Sequence, residues 1–225
     1  LPIALVAIDN STHELTRLAL EDTLAQIDPR QVLILTDAPE KIRISGVGYR
    51  HFDGGYISAM QELWYTVPSL LEAEHYIWIQ WDSWVLDATR WDDAFLDYDY
   101  IGAPWPVDEG SFWDRLGYTA SNRVGNGGFC LRSTQLMRFL CMRPQLPLWL
   151  PEDDAICRKH RKALDAAGFT WAPTDLATRF SFEFTAPPPE GTFGFHAAHN
   201  IPNVLSGDKR EERLRVAHRY GKCKS

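Results

Sequence analysis

The sequence predicts an α/β fold in which a mostly parallel central sheet is flanked by helices within one domain. Three observations lead there. The runs PIALVAI (2–8), QVLILT (31–36) and YIWI (76–79) are apolar without polar alternation, as strands covered on both faces are. Segments with helical spacing of apolar residues separate these runs. Strand, helix and strand in succession imply parallel pairing through right-handed crossovers. The length, 225 residues, suits one such domain with an ample core.

The elements follow in order. After the first strand, residues 11–27 are expected to form a helix: Ser11 and Glu14 stand at capping-box spacing, and Leu15, Leu18 and Leu24 supply an apolar face. The second strand ends at Asp37, and YRHF (49–52) reads as a shorter strand. Ser58 is placed to cap a helix carrying Met60, Leu63, Trp64 and Val67, which Pro68 bends or ends. The strand at 76–79 runs through Gln80 and Trp81 to Asp82 and resumes as Trp84, Val85 and Leu86.

The second half is less regular. TRWDDAFLDY (89–98) looks helical, DYIGAPW (99–105) is a short strand into a turn, and SFWDRLGYTASNR (111–123) reads as a loop. VGNGGFCLRS (124–133) joins a strand to a helix starting near Ser133. Residues 151–167 are expected to be helical, with Pro151 at the first position, acids at the start, basic residues further on and Gly168 as the stop. TFGFHAAHN (192–200) is a late strand or turn.

Charge and composition narrow the function. With 30 acidic against 23 basic residues the chain is no general nucleic-acid binder. Residues 208–225 depart from this balance, with seven basic side chains against three acidic ones. A solvated, frayed helix is the simpler expectation; a basic segment that meets phosphate or an anionic membrane surface is the sharper one. The four cysteines (Cys130, Cys141, Cys157 and Cys223) show neither CxxC nor zinc spacing, which fits a reducing, cytoplasmic setting. No run approaches the roughly 18 apolar residues a membrane span needs. Leu1 rather than Met opens the chain, which leaves room for a trimmed N-terminus. Most of the nine Trp are expected in the core.

In parallel sheets ligands bind beyond the carboxyl ends of the strands, and Asp9, Asp37 and Asp82 all fall at such ends. GNGG (125–128) is not a dinucleotide fingerprint, because Cys130 stands where a third glycine is required, and it lacks the Lys of a P-loop. Its glycines either form a tight turn or allow a ligand close to the backbone. PEDD (151–154) puts three acids at a helix start, more than dipole complementarity needs, and one is a candidate general base. His196 is either a hydrogen-bonded structural residue or, with Asp82, half of a carboxylate–imidazole set suited to Mn²⁺. GxSxG and HExxH motifs are absent, so nothing recommends a serine hydrolase or a zinc peptidase.

Taken in order, IQWDSWV, DYDYIGAPW, VGNGGFCLRS, PEDD, RFSFE and FGFH resemble the pattern of a family of largely uncharacterised glycosyltransferase-like domains over about residues 56–200. That family is similar to the GT-A superfamily, in particular its β-1,4-galactosyltransferase-like branch. The resemblance implies a single GT-A-like domain with a nucleotide-sugar half (1–104), an acceptor half (105–205) and a basic tail (206–225). It implies a metal-dependent, inverting transferase that moves sugar from a UDP-sugar to a glycan or other hydroxyl, with Mn²⁺ or Mg²⁺. Asp82 matches the last acid of the D-x-D motif and His196 the late metal-binding histidine, while Gln80 occupies the first acid's place. Asp153 matches the base, and Glu152 or Asp154 would orient the acceptor, with Asp154 also reaching the donor side. Gly127 and Gly128 would flank the donor sugar; Asp37 would meet uracil or ribose, and Asp9 would line the same donor site. Trp81, Trp84 and Trp105 are candidates for stacking on sugars. A carbohydrate-binding domain without turnover is the alternative, favoured by Gln80 and opposed by the combination of Glu152, Asp153 and His196.

Overall fold

The computed structural model describes residues 1–142 and 151–222, the side chains of Tyr56 and Ile57 excepted; Cys223 and Lys224 fall outside them. A six-stranded sheet forms the centre, built from β1 (Ile3–Ile8), β2 (Gln31–Thr36), β3 (Gly48–His51), β4 (His75–Ile79), β6 (Tyr100–Gly102) and β7 (Phe129–Ser133). Its order is β3-β2-β1-β4-β7-β6. β3, β2, β1 and β4 pair in parallel, as the uninterrupted apolar runs of β1, β2 and β4 predict, and β7 enters antiparallel to β4. A smaller sheet, ordered β5-β9-β8, joins β5 (Trp84–Val85), β8 (Ser181–Phe182) and β9 (Gly194–Phe195). Two residues of strand carry no periodicity, so these three elements are barely visible in the sequence.

The topology fixes where a ligand can bind. The chain leaves β1 in one direction to build β2 and β3, then returns to add β4 on β1's other side. The crevice between the carboxyl ends of β1 and β4 is therefore the topological switch point of the sheet. In register, Ala7 pairs with both Ile34 and Ile79, which puts Asp9 just past one strand end and Gln80 just past its neighbour's. Because β7 is antiparallel, with Ile79 opposite Phe129, its first residues arrive at this same edge, and the Gln80 amide donates to the Gly128 carbonyl at 3.2 Å.

Several local expectations need correction. The helix His13–Gln26 has no capping box. The Asp9 carboxylate performs that task, accepting from the amides of Ser11 (3.0 Å) and Thr12 (2.9 Å), while Glu14 pairs with Arg219. Ser58 lies inside the helix Tyr56–Gln61 rather than capping it, and a π-helical turn (Glu62–Thr66) precedes the segment containing Pro68. Residues 88–97 form two 3₁₀ turns, and a short helix, Phe112–Arg115, interrupts the expected loop. Ser133 does cap the helix Thr134–Cys141, accepting from the Leu136 amide at 3.0 Å. In the acidic segment Pro151 is the cap residue rather than the first helical one; helix Glu152–Asp154 runs through a π-turn, Ala155–Lys159, into Arg161–Ala166, and Gly168 at φ 91° stops it. The C-terminal helix, Gly207–Arg219, is docked rather than frayed: Val216 and Ala217 are buried with Leu15, and Arg213 meets Asp22 at 2.6 Å.

Candidate active site

Three strand registers assemble the centre of the site. β5 pairs antiparallel with β9, with Trp84 opposite Phe195, so Asp82 just before β5 meets the chain just after β9. β8 runs parallel to β9 with Phe182 beside Phe195, so Glu183 comes abreast of His196. The result is a buried row. The Oδ1 of Asp82 lies 3.5 Å from His196 Nε2, and His196 Nδ1 lies 3.1 Å from Glu183 Oε1. Asp82 Oδ2 accepts from the Ala198 amide at 3.1 Å, whereas its buried Oδ1 has no hydrogen-bond donor. Ala197, between His196 and that amide, holds φ 85° and ψ 138°, a strained conformation for a residue with a Cβ.

Burial alone would lower the His196 pKa, but the Asp82 and Glu183 carboxylates outweigh it and push it up to about 10. With no other cation present, the ring therefore carries a proton and serves as counter-charge to the two acids.

Asn126 ties this row to the glycines, donating its amide to Glu183 and accepting from the Gly128 N–H at 3.2 Å. Gly128 has no room for a side chain because the His196 imidazole occupies the space a Cβ would need. On the other flank, the Gly127 N–H donates to Asp153 Oδ2 at 3.0 Å, and a Cβ there would collide with Glu152 and Asp153. The two glycines thus let the histidine and the aspartate approach one backbone from either side. Burial, and then the charge of Glu152, raise the Asp153 carboxyl to about 7.

The other acids of this segment are spoken for. Glu152 is buried and receives Arg132 Nη2 at 2.8 Å; Arg132 is wholly enclosed, level with Tyr76 and Tyr100 on the adjacent strands. Asp154 forms a two-pronged pair with Arg158 (2.5 and 2.7 Å) and accepts from the Tyr118 hydroxyl at 2.5 Å. Burial would raise its pKa, yet these donors hold it below the usual value.

At the switch point lies a cavity of about 320 Å³ lined by Asp9, Thr16, Phe52, Trp78, Gln80 and Trp81, among others. Asp9 Oδ2 and Thr16 Oγ1 are buried in its wall without partners. Asp37 is directed elsewhere: its carboxylate meets His13 Nε2 at 2.6 Å, and that hydrogen bond keeps its pKa low. Trp84 and Trp105 are buried, so Trp81 is the tryptophan of that trio lining this cavity. A second cavity, of about 760 Å³, is lined by Glu183, Phe184, His199 and residues 187–189, among others.

The structure therefore brings Asp82, His196, Gly127, Gly128 and Asp153 together, with Gln80 and Asp9 at the adjoining cavity, and leaves Asp37 outside. Glu183, Asn126 and Arg132 were not foreseen as site residues. An acid directly after the FSF run, like those after β1 and β4, was the available signal for Glu183. Among the described residues no three His, Cys, Asp or Glu side chains form a ready metal cluster. The pair Asp82 Oδ1 and His196 Nε2 nonetheless fits a divalent cation: an orphaned buried carboxylate oxygen faces an imidazole nitrogen, and a second carboxylate, Glu183, lies 3.1 Å from the ring's other nitrogen, the kind of neighbour metal-binding histidines commonly have.

Residues 56–196 match the family described as "Protein of unknown function (DUF5672)". No curated protein matches the chain. Among solved structures, the galactosyltransferase LgtC in complex with donor and acceptor sugar analogues superposes with a TM-score of 0.56 at 12% identity, over 99% of this chain and 97% of that one. A mannosyltransferase from Pyrobaculum calidifontis, in complex with GDP-Man and Mn²⁺, gives a TM-score of 0.52 at 12% identity over 76% of this chain, and the match spans 54% of that protein's length. The fold is GT-A-like. No helix among the described residues is long and apolar enough to cross a membrane.

Proposed function

The chain belongs to the DUF5672 family, and we propose that it is a metal-dependent, inverting glycosyltransferase moving sugar from a UDP-sugar to a hydroxyl of a glycan or other acceptor, of the β-1,4-galactosyltransferase-like kind. One observation carries the reading. Asp82 and His196 on one side of Gly127–Gly128, and Asp153 on the other, surround a side-chain-free stretch of backbone at the switch point, next to the Asp9 cavity. The mannosyltransferase and LgtC, which share the fold, were crystallised with nucleotide sugar or sugar analogues.

Asp82 and His196 would hold the cation, Mn²⁺ being suited to carboxylate plus imidazole. When bound, a divalent cation neutralises the charge that develops on a departing diphosphate. The chain's own residues do the rest. Glu183, 3.1 Å from Nδ1 of His196, would orient the ring with Nε2 toward Asp82. The cavity takes the nucleoside, Asp9 Oδ2 accepting from its N–H or O–H groups. Asp153, with a pKa near neutrality, removes the acceptor's hydroxyl proton as that oxygen bonds to the anomeric carbon and the bond to the diphosphate oxygen breaks, its electron pair leaving with the diphosphate. Attack opposite the leaving group inverts the anomeric centre. Glu152, paired with Arg132, anchors Asp153 rather than touching the acceptor. In domain terms, residues 1–104 supply the nucleotide wall and residues 105–205 the base and acceptor side.

Thermal-shift screening of nucleotide sugars with Mn²⁺, followed by transfer and hydrolysis assays, tests this. A melting shift with UDP compounds and turnover lost in Asp153→Asn are expected; no shift with any UDP compound overturns the donor assignment. Gln80, in the place of an acid, favours a second reading, a nucleotide-sugar-binding domain without turnover. Metal-linked UDP binding with no transfer or hydrolysis would select it.

A further inference from the structure

The basic tail is not used up by the docking of its helix. Arg213 and Lys209 face Asp22, and Arg219 makes two contacts of 2.9 Å with Glu14, so these cations fasten the last helix to the first. The helix then ends in a built turn. Gly221 is left-handed at φ 65°, and the Lys222 amide reaches back to the Ala217 carbonyl at 2.9 Å, the six-to-one bond of a Schellman cap. After that turn Lys222 lies with its Nζ 5.9 Å from the centre of the Trp81 ring. There Lys222 lines the Asp9 cavity, and no other Lys or Arg is among its described lining residues.

We propose that Lys222 is the diphosphate-binding cation of this cavity, an anion subsite supplied by the C-terminal turn; this rests on the nucleotide-sugar reading above. Asp9 Oδ2 and Thr16 Oγ1, buried and unpartnered in the wall, suit the hydrogen-bonding groups of a nucleoside, whereas a phosphate would be repelled by Asp9 and attracted by Lys222. Neutral Gln80 lines the same cavity, two residues before Asp82 of the Asp82–His196 pair. Gln80 withholds one negative charge where the D-x-D pattern has an acid, and Lys222 adds one positive charge. Both changes favour a bound anion and lessen its dependence on the metal.

The test is calorimetric titration, or quenching of Trp81 fluorescence, with UDP, uridine and inorganic pyrophosphate, in Mn²⁺ and in EDTA. It compares the wild-type chain with Lys222→Ala and Lys222→Arg. Loss of a charge-assisted contact should weaken UDP about tenfold or more, most clearly in EDTA, and flatten its salt dependence. Uridine affinity should be unchanged, and Lys222→Arg should retain most UDP affinity. If Lys222→Ala binds UDP like wild type at every salt concentration, the Lys222 assignment falls while the nucleotide reading stands. If pyrophosphate binds through Lys222 but UDP does not bind, the subsite stands and the nucleotide reading falls. If neither ligand binds the wild-type chain, both fall.

Discussion

Arg132→Met should unfold this protein far more easily, and the structure says by how much. Arg132 is fully enclosed between Tyr76 and Tyr100, and its Nη2 is the hydrogen-bond donor found on the Glu152 carboxylate, 2.8 Å away. Met fills most of the space of the arginine stem but supplies no charge, so Glu152 becomes a buried carboxylate with no counter-ion. Breaking a buried pair from one side costs about 3–5 kcal/mol. For a chain of this length each kcal/mol lowers Tm by about 2–4 °C, so the fall should be about 6–20 °C. One control makes the reasoning specific. Arg132→Met combined with Glu152→Leu removes both charges and should recover to within about 2 kcal/mol of wild type, since apolar replacements of buried pairs are often neutral or stabilising. Urea unfolding followed by tryptophan fluorescence measures both variants. A single variant within about 1 kcal/mol of wild type, or a double variant less stable than the single, would refute the account.

Four further outcomes are expected. As the proposed base, Asp153 would act ionised; with its carboxyl raised to about 7, transfer rates should be low in acid, rise through about pH 7 and level off above it, and an acid limb centred near the ordinary aspartate value of about 4 would remove Asp153 as the base. Gly128→Ala would drive a methyl into the His196 ring, destabilising by about 1–3 kcal/mol and abolishing any Mn²⁺-induced rise in Tm; an intact Mn²⁺ response would show that His196 is not a ligand. Glu183→Gln should weaken Mn²⁺ about 10–100-fold in an electron paramagnetic resonance titration while the fold persists, and unchanged affinity would strip Glu183 of its positioning role. Ala197→Gly relieves backbone strain of about 1–3 kcal/mol against a glycine entropy cost of about 0.5–1 kcal/mol, so Tm should rise; a fall would mean that the φ of 85° is not strained in solution.

The parts of this molecule that could be read from sequence are those whose cause is local. β1, β2 and β4 are legible because strands covered on both faces need unbroken apolar runs, and the acids beyond β1 and β4 mark the edge where those runs stop. Asp82 is legible as an acid past a strand end and the PEDD run as a source of a base, while resemblance assigns roles to Asp153 and His196; registers of two-residue strands bring Asp82 to His196, and the Gly127 amide brings Asp153 to the same backbone, which no spacing rule foresees. Misreadings arise where a distant partner claims a side chain. Glu14 looks like a capping residue until Arg219, from the other end of the sequence, takes its carboxylate. Glu152 looks like a site acid until Arg132 appears beneath it. Asp37 sits at a strand end as Asp9 does, but His13 from the neighbouring helix turns it away from the cavity.

The docked last helix has a consequence for how the protein is made. The cavity wall joins residues of β1 and β4 to Lys222, and the salt bridges that hold that helix reach back to Glu14 and Asp22. A nascent chain can pair β1 with β2 and β4 soon after they emerge, but Lys222 is translated only after the whole sheet. Contacts this far apart in sequence form late, because loop closure must come first. Affinity for an anion should therefore appear on the ribosome only after the sheet has formed, and be lost early to a protease that nicks the turn after Arg219.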